Sequence, residues 1–234
     1  MIRRALPEEE AEFFLRAKNH PLAALRMRAA WDCYKNHPQL CGFYLADKAC
    51  LLLTGQTALV AGPVTDAEEL AVFFRFSGVR QAENAPPLPG FAPAEHLLMA
   101  RAPAPAPLPE KVTLTPDLWR LHEAELFEDP DGWYADACLR RRQGAAIAAL
   151  ESGGRYAACA GLYAQSDTDA WLSAVTTHPD FRGRGYASAC VSALLAGCEK
   201  KVWLLCRPQL KALYRPLGFE KVPTDPYYLQ EERI

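Results

Sequence analysis

The residues best suited to chemistry lie in one short loop near the C-terminal end of the chain. Arg182, Gly183, Arg184 and Gly185 directly precede Tyr186, Ala187 and Ser188, where an apolar helical pattern begins. Glycine adopts backbone angles that a Cβ forbids, so successive N–H groups of this loop can point into one concavity. A helix N-terminus adds unpaired N–H groups and the positive end of the helix dipole. The segment therefore predicts a phosphate-binding loop, with the two arginines supplying charge at its rim.

The flanking segments decide between a phosphate site and an ordinary strand-to-helix turn, which can have the same local sequence. Residues 170–175 form an apolar run that predicts a buried strand, and Pro179 ends it. After the loop, apolar residues recur at helical spacing and give the predicted helix one face for packing on a sheet. They are Ala187, Cys190, Val191, Leu194 and Leu195. Strand, loop and helix thus follow in the order that a phosphate site requires.

A second motif lies downstream of the loop. Leu213, Tyr214, Gly218 and Phe219 form a Leu-Tyr-x-x-x-Gly-Phe segment. Together with the Arg-x-x-Gly-x-Ala loop, it makes residues 172–219 resemble the GNAT family of acyl-CoA-dependent N-acyltransferases, whose pyrophosphate loop has the form Gln/Arg-x-x-Gly-x-Gly/Ala. The resemblance implies a mixed α+β fold with a central, mostly antiparallel sheet flanked by helices. It also implies acetyl-CoA as the co-substrate.

The resemblance further implies roles for individual residues. Residues 182–188 would bind the CoA pyrophosphate, and main-chain N–H groups of Val175, Thr176 and Thr177 would bind the acyl carbonyl and the pantetheine arm. Tyr214 takes the place of a tyrosine that protonates the departing thiolate, the alternative being a core tyrosine at a helix end. Arg207 stands where relatives often have an asparagine that contacts the pantetheine arm. It would either reach a CoA phosphate or cap the strand end.

The residue that deprotonates the amine is not evident from the sequence. Many GNAT proteins place a glutamate on the loop strand, but Ser173 and Ala174 occupy that neighbourhood here. Neither can deprotonate an ammonium group with a free pKa of about 10. Either a carboxylate acts through water, or the acceptor is a weakly basic amine that needs no strong base. The carboxylates to consider are Glu125, Glu128, Asp129, Asp167 and Asp169.

Composition limits the other functions. The 234-residue chain is 50% hydrophobic and has a net charge of −2 without a long basic block, so neither nucleic acid nor a membrane is expected as a partner. No apolar run approaches the ~18 residues of a membrane span, and residues 1–10 lack the apolar stretch of a signal peptide, so a cytoplasmic location is expected. The eight cysteines lack C-x-x-C spacing and are expected to be reduced core residues. His122 and His178 lack partners at metal-ligand spacing, so no metal is predicted.

Proline content places the predicted domain boundary. Residues 100–109 are rich in alanine and proline, which favours an extended connector over a helix or a central strand. We therefore expect an N-terminal domain over residues 1–102, a linker over 103–110 and a catalytic domain over 111–234. Residues 73–79 can be aligned with 213–219, with Phe74 at the position of Tyr214. This favours two tandem GNAT-like halves, the first without a CoA loop; chance similarity of two short segments is the alternative.

The leading functional hypothesis is an N-acetyltransferase in which a primary amine attacks the thioester of acetyl-CoA directly in a ternary complex. The alternative is a non-catalytic protein of the same fold that senses acyl-CoA or acts as a scaffold. Tyr214 together with the intact loop favours the enzyme, and the missing carboxylate on the loop strand keeps the alternative open. The sequence leaves open whether the acceptor is a small molecule or a peptide, which acyl chain is preferred, whether the protein is a monomer or a homodimer, and whether the N-terminal half shapes the acceptor site.

Overall fold

Strand pairing divides the chain into two units. In the computed structural model, which describes residues 1–231, unit 1 comprises Met1–His96 together with the segment from Pro223 onward. Unit 2 comprises Leu97–Val222. Each unit has its own seven-stranded sheet.

The elements follow one another in this order along the chain. The strands are β1 (Ile2–Arg4), β2 (Cys41–Ala46), β3 (Ala49–Thr54), β4 (Thr57–Ala61), β5 (Gln81–Glu83), β6 (Phe91–Pro93), β7 (Leu97–Arg101), β8 (Val112–Thr113), β9 (Ala146–Ser152), β10 (Arg155–Gln165), β11 (Asp169–Thr177), β12 (Lys201–Cys206), β13 (Glu220–Val222) and β14 (Tyr227–Gln230). The helices are α1 (Glu10–Ala17), α2 (Pro21–Tyr34), α3 (Ala67–Phe76), α4 (Leu118–Glu123), α5 (Pro130–Arg142), α6 (Tyr186–Ala196) and α7 (Lys211–Tyr214).

Unit 1 is a sheet with helices on both faces. Its strand order is β1-β2-β3-β4-β5-β14-β6, and only β4 and β5, which α3 connects, are parallel. On one face, Trp31 of α2 packs against Phe13 of α1 and Phe43 of β2, with ring centroids 5.1 and 4.7 Å away. On the other face, Leu70 and Phe74 of α3 are fully buried in a separate apolar cluster. Side chains alternate between the two faces of a strand, so each face has its own core.

Unit 2 repeats this three-layer plan. Its strand order is β13-β7-β12-β11-β10-β9-β8, and only β11 and β12, which α6 connects, are parallel. Ala148 and Leu150 of β9 face the cluster that contains α6, whereas Ile147 and Ala149 face the cluster of α4 and α5. The predicted α+β fold with a mostly antiparallel sheet flanked by helices is thereby confirmed.

The segment before the prolines differs from the expectation. Ala100 and Arg101 belong to β7, an internal strand that pairs with both β12 and β13. The prediction that residues 100–109 exclude a central strand is therefore wrong for its first two residues. The reason is that proline, which removes a ladder N–H, first occurs at Pro103, while Leu97 to Arg101 retain all their donors.

Two strands belong to a different unit from the one that the expected boundaries assign them to. Strand β7, expected in residues 1–102, belongs to unit 2, and β14, expected in residues 111–234, pairs with β5 and β6 of unit 1. The expected linker over residues 103–110 lies within unit 2. There it is held by the Arg101 Nη2, which donates to Ala104 O at 2.7 Å, and by Ser192 Oγ, which donates to Pro107 O at 2.8 Å.

The topology corrects the predicted alignment of residues 73–79 with 213–219. Helix α3 connects the parallel strands β4 and β5, as α6 connects the parallel strands β11 and β12. The counterpart of α3 is therefore α6, and Phe74 does not correspond to Tyr214. The prediction relied on aromatic and glycine residues at the same positions of two seven-residue segments. The helices that contain these segments occupy different places in the fold.

The cysteines behave as expected for core residues. All eight are free thiols, and six of them are buried. Burial raises the pKa of Cys50 and of Cys190 to about 12, so both thiols stay protonated at neutral pH. Among residues 1–231, the helices are all too short or too polar to cross a membrane.

Strand β7 provides a test of the unit boundary. A fragment spanning residues 111–222 will not fold, whereas one spanning residues 97–222 will. Loss of β7 leaves β12 and β13 without their shared partner and removes the buried side chains of Leu97 and Met99. Burying such side chains contributes about 1.5–3 kcal/mol each, against a typical domain stability of about 5–15 kcal/mol. Far-UV circular dichroism and cooperative urea unfolding measure the difference, and cooperative unfolding of the shorter fragment would show that β7 is dispensable.

Candidate functional site

The loop after β11 forms an open concavity. Gly183 and Gly185 have φ angles of 77° and 76°, in the left-handed region that residues with a Cβ enter at a cost. A Cβ added at either glycine would meet no atom within 4 Å. The space in front of both residues is therefore empty, and the backbone of the loop faces it directly.

Helix α6 begins without a side-chain cap. Gly185 is its N-cap residue, and the first turn contains no acidic side chain. The N–H of Ala189 donates to Gly185 O at 3.0 Å, which leaves the N–H groups of Tyr186, Ala187 and Ser188 directed out of the helix end. Unpaired N–H groups and a positive helix dipole at one point favour an anionic group.

The equivalent helix of unit 1 has the opposite character. Asp66 caps α3, its Oδ1 accepting from the N–H of Glu69 at 2.8 Å, and Glu68 and Glu69 add two carboxylates to the first turn. Three acidic residues there would repel a phosphate, and the cap already uses one of the free N–H groups. The first turn of α3 therefore lacks the features that favour an anion at the start of α6.

Two arginines of the loop are available for an anion. Arg182 Nε donates to Thr177 O at 3.4 Å, and Arg184 Nη2 donates to Asp180 O at 3.3 Å. Both side chains belong to exposed residues, and each is bonded to neutral carbonyls rather than to a carboxylate. Asp180 is instead paired with Arg155, whose Nη2 lies 3.1 Å from Oδ2. The cationic groups at the rim are therefore not neutralised by the nearest acid.

The hairpin between β9 and β10 contacts the loop, and the sequence alone did not predict this contact. Ser152 Oγ lies 3.3 Å from the Tyr186 hydroxyl, and this hydrogen bond, together with nearby Arg184, lowers the pKa of Tyr186. Arg155 follows the same turn. Ser152 and Arg155 could have been identified from the pairing of β10 with β11. Because Ala158 lies opposite Thr177, the turn between β9 and β10 lies beside the loop.

The sheet opens along β11. Strands β11 and β12 pair only between Asp169–Trp171 and Lys201–Trp203. Beyond that point β12 stays paired with β7 as far as Cys206, whereas no described strand pairs with the remainder of β11 on this edge. Val175, Thr176 and Thr177 lie on the open part and are half-buried. Those of their main-chain groups that point away from β10 can thus bind an extended ligand in place of a neighbouring strand.

A β-bulge sits at the centre of the open edge. The register between β10 and β11 shifts where Cys159 pairs with Thr176 and Gly161 with Ser173. Within the bulge, Ala174 has a φ of 51°, unusual for a residue with a Cβ, and its carbonyl accepts from Cys159 Sγ at 3.5 Å. Bulges redirect backbone groups and are common next to active sites.

The segment between α4 and α5 is tied to this edge. Thr176 Oγ1 donates to Leu126 O at 3.0 Å. Glu125, directly before Leu126, is exposed and has a φ of 53°, a strained conformation for glutamate. Glu128 is also exposed. Two of the carboxylates that the sequence singled out therefore flank a contact with the opened strand.

The other carboxylates have different surroundings. Asp129 caps α5, its Oδ1 accepting from the N–H of Gly132 at 2.9 Å. Asp169 Oδ1 accepts from Trp203 Nε1 at 2.6 Å. Asp167 is exposed in the turn before β11. Both hydrogen-bonded carboxylates have structural functions that account for their presence.

Tyr214 lies at the end of α7 and is 5% exposed. Burial, with a smaller contribution from nearby Cys206, raises its pKa to about 12. Cys206 is the last residue of β12, so Tyr214 lies near the strand that separates from β11. Arg207 follows as an exposed residue at the strand end.

The two histidines occupy ordinary positions. His178 Nδ1 accepts from the N–H of Asp180 at 3.3 Å in the turn after β11, and His122 Nε2 lies 2.7 Å from Asp131 Oδ1. Within residues 1–231, His, Cys, Asp and Glu side chains nowhere form a group of three that could hold a metal ion.

The chain matches a family model in its second half. Residues 112–219 match the model of the Acetyltransferase (GNAT) family. This part of the chain is therefore similar to the GNAT family, as the loop and the Leu-Tyr-x-x-x-Gly-Phe segment predict. No curated protein matches the chain.

Solved structures show the same fold over most of the chain. A putative GNAT acetyltransferase from Novosphingobium aromaticivorans is 21% identical, covers 79% of this chain and 89% of its own, and has a TM-score of 0.54. A putative acetyltransferase from Pyrococcus horikoshii is 13% identical, with coverages of 100% and 90% and a TM-score of 0.60. A tandem GNAT protein from the clavulanic acid biosynthesis pathway is 12% identical, with coverages of 97% and 97% and a TM-score of 0.59. At these identities the likeness establishes the fold, and the prediction of a tandem GNAT architecture is confirmed.

The contact between Thr176 and Leu126 can be tested directly. Replacing Thr176 with Val keeps the shape of the side chain but removes its donor, so Leu126 O loses its partner at a cost of about 1 kcal/mol. Amide hydrogen exchange over residues 124–129 will become faster. Thr177→Val is the control, because no described side-chain hydrogen bond involves the Thr177 hydroxyl. Equal exchange in wild-type protein and in Thr176→Val would mean that the contact does not hold this segment.

Proposed function

We propose that the protein is an N-acetyltransferase that moves an acetyl group from acetyl-CoA to a primary amine. The observation that carries the proposal is the continuity between the opened edge of β11 and the uncapped N-terminus of α6. Acetyl-CoA joins an extended pantetheine arm to a pyrophosphate. The arm would match the opened edge of β11, and the pyrophosphate would match the N-terminus of α6. The GNAT match of residues 112–219 supports acyl transfer as the reaction class.

The loop would bind the pyrophosphate through main-chain groups and charge. The N–H groups of residues 183–188 provide donors at the positive end of the α6 dipole. Arg182 and Arg184 can leave their neutral carbonyl partners for charge-assisted hydrogen bonds to phosphate, which are stronger. Arg207 is proposed to reach a further phosphate of the same ligand.

The open edge would position and polarise the thioester. Those main-chain groups of Val175, Thr176 and Thr177 that face the open edge would take the place of a strand partner for the pantetheine arm. An N–H group that donates to the acyl oxygen stabilises the negative charge that develops as the amine attacks. The amine would attack the thioester carbon directly, so the tetrahedral intermediate collapses by breaking the carbon–sulfur bond without a covalent enzyme intermediate.

Tyr214 is proposed to supply the proton for the departing sulfur. With a pKa of about 12, its phenol keeps its proton throughout the physiological pH range. A thiol has a reference pKa of about 8.5, so full transfer of a proton from this phenol to a free thiolate is uphill. Tyr214 would therefore first donate a hydrogen bond to the sulfur and pass its proton on as the carbon–sulfur bond breaks, and the phenolate would regain the proton that the attacking nitrogen loses on becoming an amide.

Removal of the amine proton has two possible routes. Glu125 and Glu128 flank Leu126 and are exposed, so either could accept the proton through water. A weakly basic acceptor amine would be neutral already and would need no base. Measuring the pH dependence of kcat/KM with amines of different basicity separates the routes. Only in the second route will the apparent pKa of the profile follow the pKa of the amine itself.

A non-catalytic acyl-CoA-binding protein is the second candidate. The observation in its favour is that residues 170–177 of the loop strand contain no carboxylate. Incubation with acetyl-CoA and a panel of primary amines distinguishes the candidates, since only the enzyme releases free CoA thiol in an amine-dependent reaction.

Cofactor binding is tested by replacing Gly185 with Val. The wild-type protein will bind acetyl-CoA with a micromolar Kd, and the variant will lose about 100-fold or more, because a branched side chain fills the concavity and opposes a φ of 76°. Isothermal titration calorimetry measures both affinities. Gly197→Val is a matched control at the other end of α6, where φ is −109° and the space around a Cβ is open. Absence of binding to the wild-type protein would contradict the proposal.

The role of Tyr214 is tested by Tyr214→Phe once an acceptor has been found. Loss of the hydroxyl will lower kcat by about 100-fold and leave the Kd for acetyl-CoA unchanged, because the proton is needed only after the amine attacks. The wild-type rate will not lose activity to deprotonation of Tyr214 between pH 7 and pH 10, since its pKa of about 12 lies above that range. Tyr228→Phe in unit 1 is the control for loss of a buried hydroxyl. Equal kcat in wild-type protein and Tyr214→Phe would assign Tyr214 to the core.

A further inference from the structure

A second cavity lies in unit 2, apart from the acyl-CoA site. Its volume is about 540 Å³, within the range of small-molecule sites. It lies between residues 102–107, the C-terminal turns of α6 and residues 216–218, and none of the loop residues 182–188 lines it. Its wall includes Arg101, Pro105, Leu195, Leu217 and Glu220.

Arg101 is the unusual component of this cavity. The residue is only 5% exposed, although its guanidinium group is always charged. Nη2 donates to the carbonyls of Ala104 at 2.7 Å and Pro105 at 3.2 Å. Nη1 is buried and has no hydrogen-bond partner in the described part of the chain. The hydrogen-bond partners of the side chain in the described part of the chain are these two neutral carbonyls, whereas buried charged groups are normally paired with an opposite charge, so the guanidinium group marks an incomplete site.

The surrounding backbone leaves room for this guanidinium. Gly218 has a φ of 85°, and a Cβ there would lie 3.3 Å from Arg101 Nε. Ser192, itself 5% exposed, anchors the segment that covers the cavity by donating from Oγ to Pro107 O at 2.8 Å. A glycine beside the charge and an anchored cover on the other side together define a fixed pocket.

We propose that this cavity binds a small aliphatic carboxylate. The carboxylate would accept a charge-assisted hydrogen bond from the guanidinium group of Arg101, which lines the cavity and otherwise donates to neutral carbonyls. Its apolar chain would contact Pro105, Leu195 and Leu217. Glu220 in the wall and the negative end of the α6 dipole disfavour a second negative charge, which makes a phosphate dianion a poor ligand.

The first experiment is a titration of the full-length protein with sodium butyrate, observed through the arginine Nε–Hε signals by NMR. The Arg101 signal, assigned by its loss in Arg101→Met, will shift and saturate with a Kd of about 1 mM. Sodium chloride at equal ionic strength, inorganic phosphate and uncharged 1-butanol will not produce this saturable shift. An unchanged Arg101 signal with butyrate, or an equal response to chloride, would overturn the proposal. A stronger saturable response to phosphate would overturn the ligand class.

The second measurement distinguishes a ligand site from an arginine that only holds the cover. Butyrate will raise the Tm of the wild-type protein by a few degrees, because a ligand that binds the folded state stabilises it. The Tm of Arg101→Met will not respond. Arg215→Met removes an exposed charge near the cavity without lining it, and its response will match wild type. If Arg101→Met does not fold, Ala104→Phe, which closes the cavity from its exposed side, must abolish the response; a retained response would overturn the proposal.

Discussion

The separation of β11 from β12 is the constraint on which the site depends. Two parallel strands that pair for three residues and then part leave main-chain groups free in the interior of a sheet, where they would otherwise be bonded. β12 is held by β7 on its other side, and β11 is held by β10, so neither strand can close the opening. The bulge at Ala174 reinforces this separation, because it turns the backbone of β11 away from a regular ladder.

The two units differ at the start of the helix that connects their parallel strands. Both place a helix between two parallel strands, but the helix of unit 1 begins at Asp66 and that of unit 2 at Gly185. An aspartate satisfies the helix N-terminus from within the chain, whereas a glycine leaves it available to a ligand. The units therefore differ in the first turn of this helix as well as in the bulge that only the strand before α6 contains.

Local features of the sequence predicted much of unit 2, and long-range pairing determined the rest. Gly183 and Gly185 are recognisable because their backbone angles depend on the residue itself, and the turn of the β9–β10 hairpin is recognisable from the adjacent Gly153 and Gly154, which also have positive φ angles. The placement of β7 in the second sheet could not be predicted, because it depends on the edges that β12 and β13 offer. The same holds for the contact between Thr176 and Leu126, which are separated by 50 residues, and for the unpartnered nitrogen of Arg101.

The position of β14 has a consequence for synthesis of the protein. β6 ends at Pro93 and pairs with β14, which begins only at Tyr227, so all of unit 2 is translated between the two partners. Until then β5 and β6 lack the strand that lies between them, and their unpaired edges resemble those that template aggregation. β7 precedes every other strand of unit 2, so the sheet of unit 2 can close once β13 has been translated. The first unit to emerge from the ribosome is therefore the last to complete its sheet.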